Sequence, residues 1–189
     1  MVDLRDIFKD GVVPPYQGTT PAGRPGRSPY RIGLSALVAA SSFTPERIAI
    51  LEGFLSFRHH LKAKGLQGFQ WVDGSFVEDV ENGDRNRPPS DIDLVTWVYV
   101  PDGLELESFG EWFGEIAALH QLLGPKENFK CDAYLVPMMS NGLVDMNEAI
   151  YWSGLFSHSR DGETWKGFFQ VELADDENEA MMILEEVAK

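Results

Sequence analysis

The spacing of apolar positions divides the chain into a helical first third, a strand-rich middle and a helix-terminated end. Thr44-Pro45-Glu46 puts together a capping hydroxyl, a proline at the first helical position and an acid in the first turn. Ile48, Leu51, Phe54, Leu55 and Leu61 then recur at helical spacing until Gly65, which predicts a helix from Thr44 to Gly65. A shorter apolar helix is expected over Gly33 to Ala40. Phe69 to Asp73 reads as a short strand ending at Gly74-Ser75, and Asn82-Gly83 and Pro88-Pro89 mark the following polar stretch as loop. Asp91 to Val100 is dense in β-branched and aromatic residues, and its near-continuous apolar run from Leu94 predicts a central strand buried on both faces.

Further along, Glu107 to Leu123 is amphipathic, with Phe109, Trp112, Phe113, Ile116, Leu119 and Leu123 on its expected inner face. A strand over Phe129 to Val136, a helix from about Leu143 to Phe156, a turn near Asp161-Gly162 and a strand over Gly167 to Leu173 follow. Glu177 to Ala188 closes the chain as an acidic helix, with Met181, Met182, Leu184 and Val187 packing inward or on a partner. Residues 1–30 are rich in Pro, Gly and Arg (Pro14-Pro15, Gly23-Arg24-Pro25-Gly26-Arg27). They are expected to form an extended arm before a single domain over 31–189 with a C-terminal helical annex. This order predicts an α+β (mixed α/β) fold, a mixed sheet flanked by helices.

Composition narrows the function classes. Hydrophobic residues make up 43% of the 189, with twelve Phe and five Trp, enough for a buried core and against wholesale disorder. A lone Cys131 cannot form an internal disulfide, which fits a reducing compartment or indifference to redox state. The first ten residues lack a signal-peptide pattern, and no run of about 20 apolar residues is present, so a cytoplasmic protein without membrane spans is expected. Thirty acids against sixteen bases give a net charge of −14, which repels duplex DNA or long RNA. Small nucleotides are not excluded, because a divalent cation carries them into an acidic site. No P-loop and no Gly-x-Ser-x-Gly elbow occurs.

The candidate chemistry lies in the carboxylates. Asp91 and Asp93 are two apart at the start of one strand and therefore face the same side, while Asp132 opens a different strand among apolar neighbours. Ionised acids are costly to bury unless they are paired or bind a cation. Converging carboxylates suit the hard oxygen chemistry of Mg²⁺. Upstream, Gly74 permits a tight turn and close approach to a ligand, and Ser75 with the following amides offers phosphate donors.

Trp71-Val72-Asp73-Gly74-Ser75 followed by Pro89-Ser90-Asp91-Ile92-Asp93-Leu94-Val95 resembles the signature of the DNA polymerase β-like nucleotidyltransferase superfamily. Lys130-Cys131-Asp132-Ala133-Tyr134 is similar to the strand carrying that superfamily's third acid. The likeness covers roughly residues 68–136, and the rest resembles small bacterial proteins with such cores. It implies transfer of a nucleoside monophosphate from a triphosphate to an acceptor. Asp91, Asp93 and Asp132 would ligate Mg²⁺ or Mn²⁺, with Asp132 also helping to deprotonate the acceptor, and Gly74 and Ser75 would hold the triphosphate tail.

The chain also departs from that pattern. Fifteen residues, 76–90, separate Ser75 from Asp91 and carry Glu78, Asp79, Glu81 and Asp84, where antitoxin-type members place a basic run. Arg85 and Arg87 are the candidate substitutes. Ser157-His158-Ser159-Arg160-Asp161 and Lys166-Gly167 either supply further basic groups to the nucleotide, Lys166 among them, or form a solvated turn. Asp73-Gly74 alone could be a plain hairpin turn. His59, His60 and His120 lack partners at zinc spacing, and Cys131 reads as a core residue. Two functions remain open. One is a Mg²⁺-dependent nucleotidyltransferase acting on an unidentified acceptor; the other is a silent nucleotide- or partner-binding module, such as half of a toxin–antitoxin or defence pair.

Overall fold

The Thr44 hydroxyl accepts a hydrogen bond from the Arg47 amide at 3.3 Å and opens helix α2 (Pro45–Ala63), which ends before Gly65 at φ +76°. Ile50, Leu51, Phe54, Phe57 and Leu61 turn one face of α2 into the core, each at most 1% exposed. The computed structural model describes residues 4–23, 26–83, 85–139 and 145–189. Arg24, Pro25, Asp84 and the expected helix start at Leu143 lie outside the described residues.

Around α2 the remaining elements run β1 (Tyr30–Arg31), α1 (Leu34–Ser41), β2 (Gly68–Asp73), β3 (Ile92–Val100), α3 (Leu106–Leu123), α4 (Pro125–Phe129), β4 (Cys131–Met139), α5 (Met146–Phe156), β5 (Phe169–Glu172) and α6 (Glu177–Val187). The fold is α+β, with a five-stranded mixed sheet flanked by helices. Strand order is β1-β5-β2-β3-β4. β2 is antiparallel to both β3 and β5, and β3 is parallel to β4, the pairing that requires the helical crossover through α3 and α4.

Period-two alternation splits the sheet between two cores. Ile92 and Leu94 of β3 join Val72, Cys131 and Val171 beneath α1, α2 and α6. Val95 and Trp97 join Val136, Phe168 and the α5 residues Trp152 and Phe156 on the opposite face. No helix among the described residues is long and apolar enough to cross a membrane.

Three expectations are revised. Phe129 does not begin a strand; it closes the one-turn helix α4 and packs its ring on Phe57 at 5.9 Å. The cause is Gly124-Pro125: the glycine adopts φ +57° after α3, and the proline restarts a helix at its first position. The inner face of α3 is shallow, since Ile116 is buried while Phe109, Trp112 and Phe113 are half-buried and contact one another. The N-terminal arm is built into the domain: Val13 is fully buried, its carbonyl accepts from the Gly167 amide at 2.6 Å, and the Gly11 carbonyl accepts from Asp79 at 2.8 Å.

Candidate active site

On the α5 face, strand register brings three acids abreast. Asp73 pairs with Asp93 across β2–β3, and Asp93 pairs with Asp132 across β3–β4, so three neighbouring strands each present a carboxylate at one end of the sheet. Asp91 lies just ahead of β3, two residues before Asp93. Neighbouring strands stand about 4.8 Å apart, so such a row concentrates negative charge within a few ångströms.

Gly74 fits directly against this row. Its φ is +84°, and a Cβ there would overlap the Asp93 carboxylate, so only glycine lets the chain turn at that point. The backbone continues as a 3-10 turn, Gly74–Val77, held by fully buried Phe76 and Val77, with Ser75 half-buried on the wall of the cleft.

Two lysines divide the acids. Lys166, 2% exposed, directs its ammonium to Glu78 Oε1 at 2.9 Å, Asp73 Oδ2 at 3.1 Å and the Gly74 carbonyl at 3.1 Å. Those three partners match its three protons, so its nitrogen fastens the turn to the end of β2. Lys126, exposed on α4, reaches Asp132 Oδ2 at 2.5 Å and Asp91 Oδ2 at 3.4 Å. Its pKa is raised, first by the hydrogen bond to Asp132.

Asp93 takes part in neither set of ion pairs. Burial raises its pKa to about 6, with Asp91 and Asp132 adding to the shift and Lys166 and Lys126 partly offsetting it. Burial likewise lifts Asp73 to about 7 despite Lys166, and its Oδ1 is buried without a hydrogen-bond partner. Cys131 lies in the core beside Ile92, where burial pushes its thiol well above the ordinary range, consistent with a packing role.

The carboxylate row opens into a cleft of about 860 Å³. Arg85, Arg87 and Arg160 also line it. The pKa of Arg85 is lowered by burial and then by repulsion from Arg87 and Arg160, with Asp161 partly offsetting it, so the three guanidinium groups lie near one another. Arg85 also pairs with Glu78. The same arginines border a second cavity of about 800 Å³ on the side of the N-terminal arm. Tyr134, two residues beyond Asp132 on the same strand face, packs its ring at a tilt against Trp152 with ring centroids 4.7 Å apart and leaves 46% of its surface open.

Gly74, Ser75, Arg85, Asp91, Asp93, Asp132 and Lys166, each singled out from the sequence, all line this cleft. Sequence reasoning passed over Asp73 and Lys126 and left Arg160 open. Asp73 was accessible in principle, since a strand ending at Gly74 places its last residue beside the next strand's acids. The placement of Lys126 depends on α4, of which the apolar pattern marks only the last residue, Phe129, and that as a strand start.

The donor set suits a hard divalent ion: all-oxygen ligands carrying mutual repulsion, with an orphaned oxygen on Asp73. Among the described residues, no group of three or more His, Cys, Asp or Glu side chains is arranged to hold a metal as it stands. Asp91 and Asp132 are instead drawn to Lys126. Residues 6–172 match the model of a family of unknown function, DUF6932. No curated protein and no solved structure matches the chain.

Proposed function

This chain belongs to the DUF6932 family, and we propose that it is a divalent-cation-dependent nucleotidyltransferase, located in the cytoplasm, that moves a nucleoside monophosphate from a triphosphate to an unidentified acceptor. The observation that carries this reading is the row Asp73–Asp93–Asp132 with Gly74 turned against the Asp93 carboxylate. Asp91, Asp93 and Asp132 would hold the ion, Mg²⁺ or Mn²⁺, which when bound screens the triphosphate and stabilises charge developing at the transferred phosphorus. Arg85, Arg87 and Arg160, which line the same cleft, meet the polyphosphate, while the amides after Gly74 approach it from the turn. Asp132 takes the proton from the acceptor hydroxyl as the new O–P bond forms and pyrophosphate leaves. Lys166 contributes by fixing Asp73 and the turn rather than by touching the nucleotide.

Catalysis then consists mainly of positioning and electrostatics. Asp93→Asn should reduce transfer of radiolabelled nucleoside monophosphate at least about 100-fold, a loss of about 2.7 kcal/mol or more, with the circular dichroism spectrum unchanged. Transfer that survives the substitution would remove the assigned mechanism.

A second reading is a silent module that binds a nucleotide or a protein partner, and its partner-binding form draws on α5. That helix exposes Met146 (73%) and Ile150 (64%) on one side, and Leu155 (52%) at the cleft. Calorimetry with ATP or GTP and Mg²⁺ separates the two: binding with no pyrophosphate release across acceptors favours the silent module.

A further inference from the structure

α4 is a single helical turn whose direction is set at both ends. Gly124 at φ +57° and buried Pro125 start it, and Lys130 at φ +55° stops it one residue before β4. This places Lys126 back over the first residues of β4, with its ammonium between two acids from different segments. With Lys166 on Asp73 and Lys126 on Asp91 and Asp132, only Asp93 among the four acids of the cluster takes part in neither set of ion pairs.

We infer that Lys126 is a resident cation of the carboxylate cluster, occupying the Asp91–Asp132 side so that a divalent ion reaches that side only by displacing it. The inference rests on reading Asp91, Asp93 and Asp132 as a metal site. Charge and exposure explain why a lysine can do this without closing the site. Without a cation, Asp91 and Asp132 would repel each other and Asp93, and one ammonium within 3.4 Å of both relieves that repulsion. The lysine side chain is 55% exposed, and each exposed ion pair contributes about 0–1 kcal/mol, so a doubly charged ion can displace it. Lys126 therefore keeps the cluster assembled before metal arrives and lowers the apparent metal affinity by a modest factor.

The test measures Mn²⁺ binding to the full chain by the electron paramagnetic resonance of free Mn²⁺, for wild type, Lys126→Met and Lys126→Arg. Lys126→Met should bind about three- to tenfold more tightly, the effect of removing two exposed ion pairs, and Lys126→Arg should stay near wild type. Equal affinity of wild type and Lys126→Met overturns the inference and leaves the metal reading intact. No binding by either protein overturns the metal reading, and the competition with it. Amine labelling followed by mass spectrometry gives a readout without metal. Lys126 should label more slowly than exposed Lys64 in the metal-free protein and speed up in Asp132→Asn; equal rates for Lys126 and Lys64 in wild type overturn the inference whatever the metal data show.

Discussion

Asp93 carries the tension between folding and function. It is held against Gly74 and flanked in register by Asp73 and Asp132, and burial lifts its pKa to about 6. A carboxyl group whose folded pKa lies above its unfolded value keeps a proton in the native state that the unfolded chain has already released. Native protein therefore binds more protons between about pH 4 and pH 6 for Asp93, and up to about pH 7 for Asp73, and stability falls as pH rises through that window. Metal-free protein should accordingly have a lower urea midpoint at pH 8 than at pH 5. Asp93→Asn should recover on the order of 1–2 kcal/mol at pH 8 while cutting transfer at least about 100-fold. A midpoint that rises with pH would show that the cluster is already neutralised. The paired acids Asp91 and Asp93 could be read from their spacing alone, because strand geometry fixes the facing of residues two apart. The roles of Asp73 and Lys126 could not, because register and a lysine's reach across a turn exist only once the chain has folded.

At the level of elements, the acidic insert has a structural explanation. Arg47, fully buried on α2, donates to both carboxylate oxygens of Glu81 at 2.6 and 3.1 Å and to the carbonyls of Phe76 and Glu78 at 2.6 and 2.9 Å. Glu78 in turn faces Lys166 and Arg85. Glu81 thus acts as the counter-charge that binds the turn after Gly74 to α2, and Glu78 as the counter-charge of Lys166 and Arg85, where the sequence suggested only a departure from a basic run. Arg58, three helical turns further along α2, ties it to Gln70, Glu177 and the Glu172 carbonyl. Removing one partner of a buried ion pair costs about 3–5 kcal/mol, so Arg47→Leu should lose that much in chemical denaturation. Hydrogen exchange should accelerate first across 76–81, where Arg47 is the anchor, and later in β3. Uniform acceleration would mean that the insert is held by other contacts. α2 itself was readable because its capping signals are local. α4 was missed because its Phe and Cys neighbours mimic a strand start and the Gly124-Pro125 restart outweighs them.

Across the whole molecule, a net charge of −14 conceals a polarised cleft. The acids stand at the ends of β2, β3 and β4, and the same cleft gathers Arg85 and Arg87 from the insert and Arg160 from the loop after α5. No sequence pattern joins positions 87 and 160. They meet because α5 packs Trp152 and Phe156 on the sheet and so delivers residues 157–166 above the carboxylates. The N-terminal arm closes the same region from outside, with Val12 bridged to Glu78 and Val13 bonded to Gly167. Such a cleft should bind a nucleoside triphosphate poorly without a divalent ion, because the acid pole repels the tail that the arginines attract. On the proposed function, Mg²⁺ would turn the acids from a barrier into an anchor and the arginines would supply the rest. Each exposed guanidinium–phosphate contact is then expected to contribute about 1 kcal/mol, so Arg160→Ala should weaken Mg-ATP about fivefold in calorimetry, and Arg87→Ala with Arg160→Ala about 25-fold. The loss should shrink at high salt, since these contacts are screened. An unchanged affinity in the double variant would move the polyphosphate off the arginine wall and leave the carboxylate row without its complement.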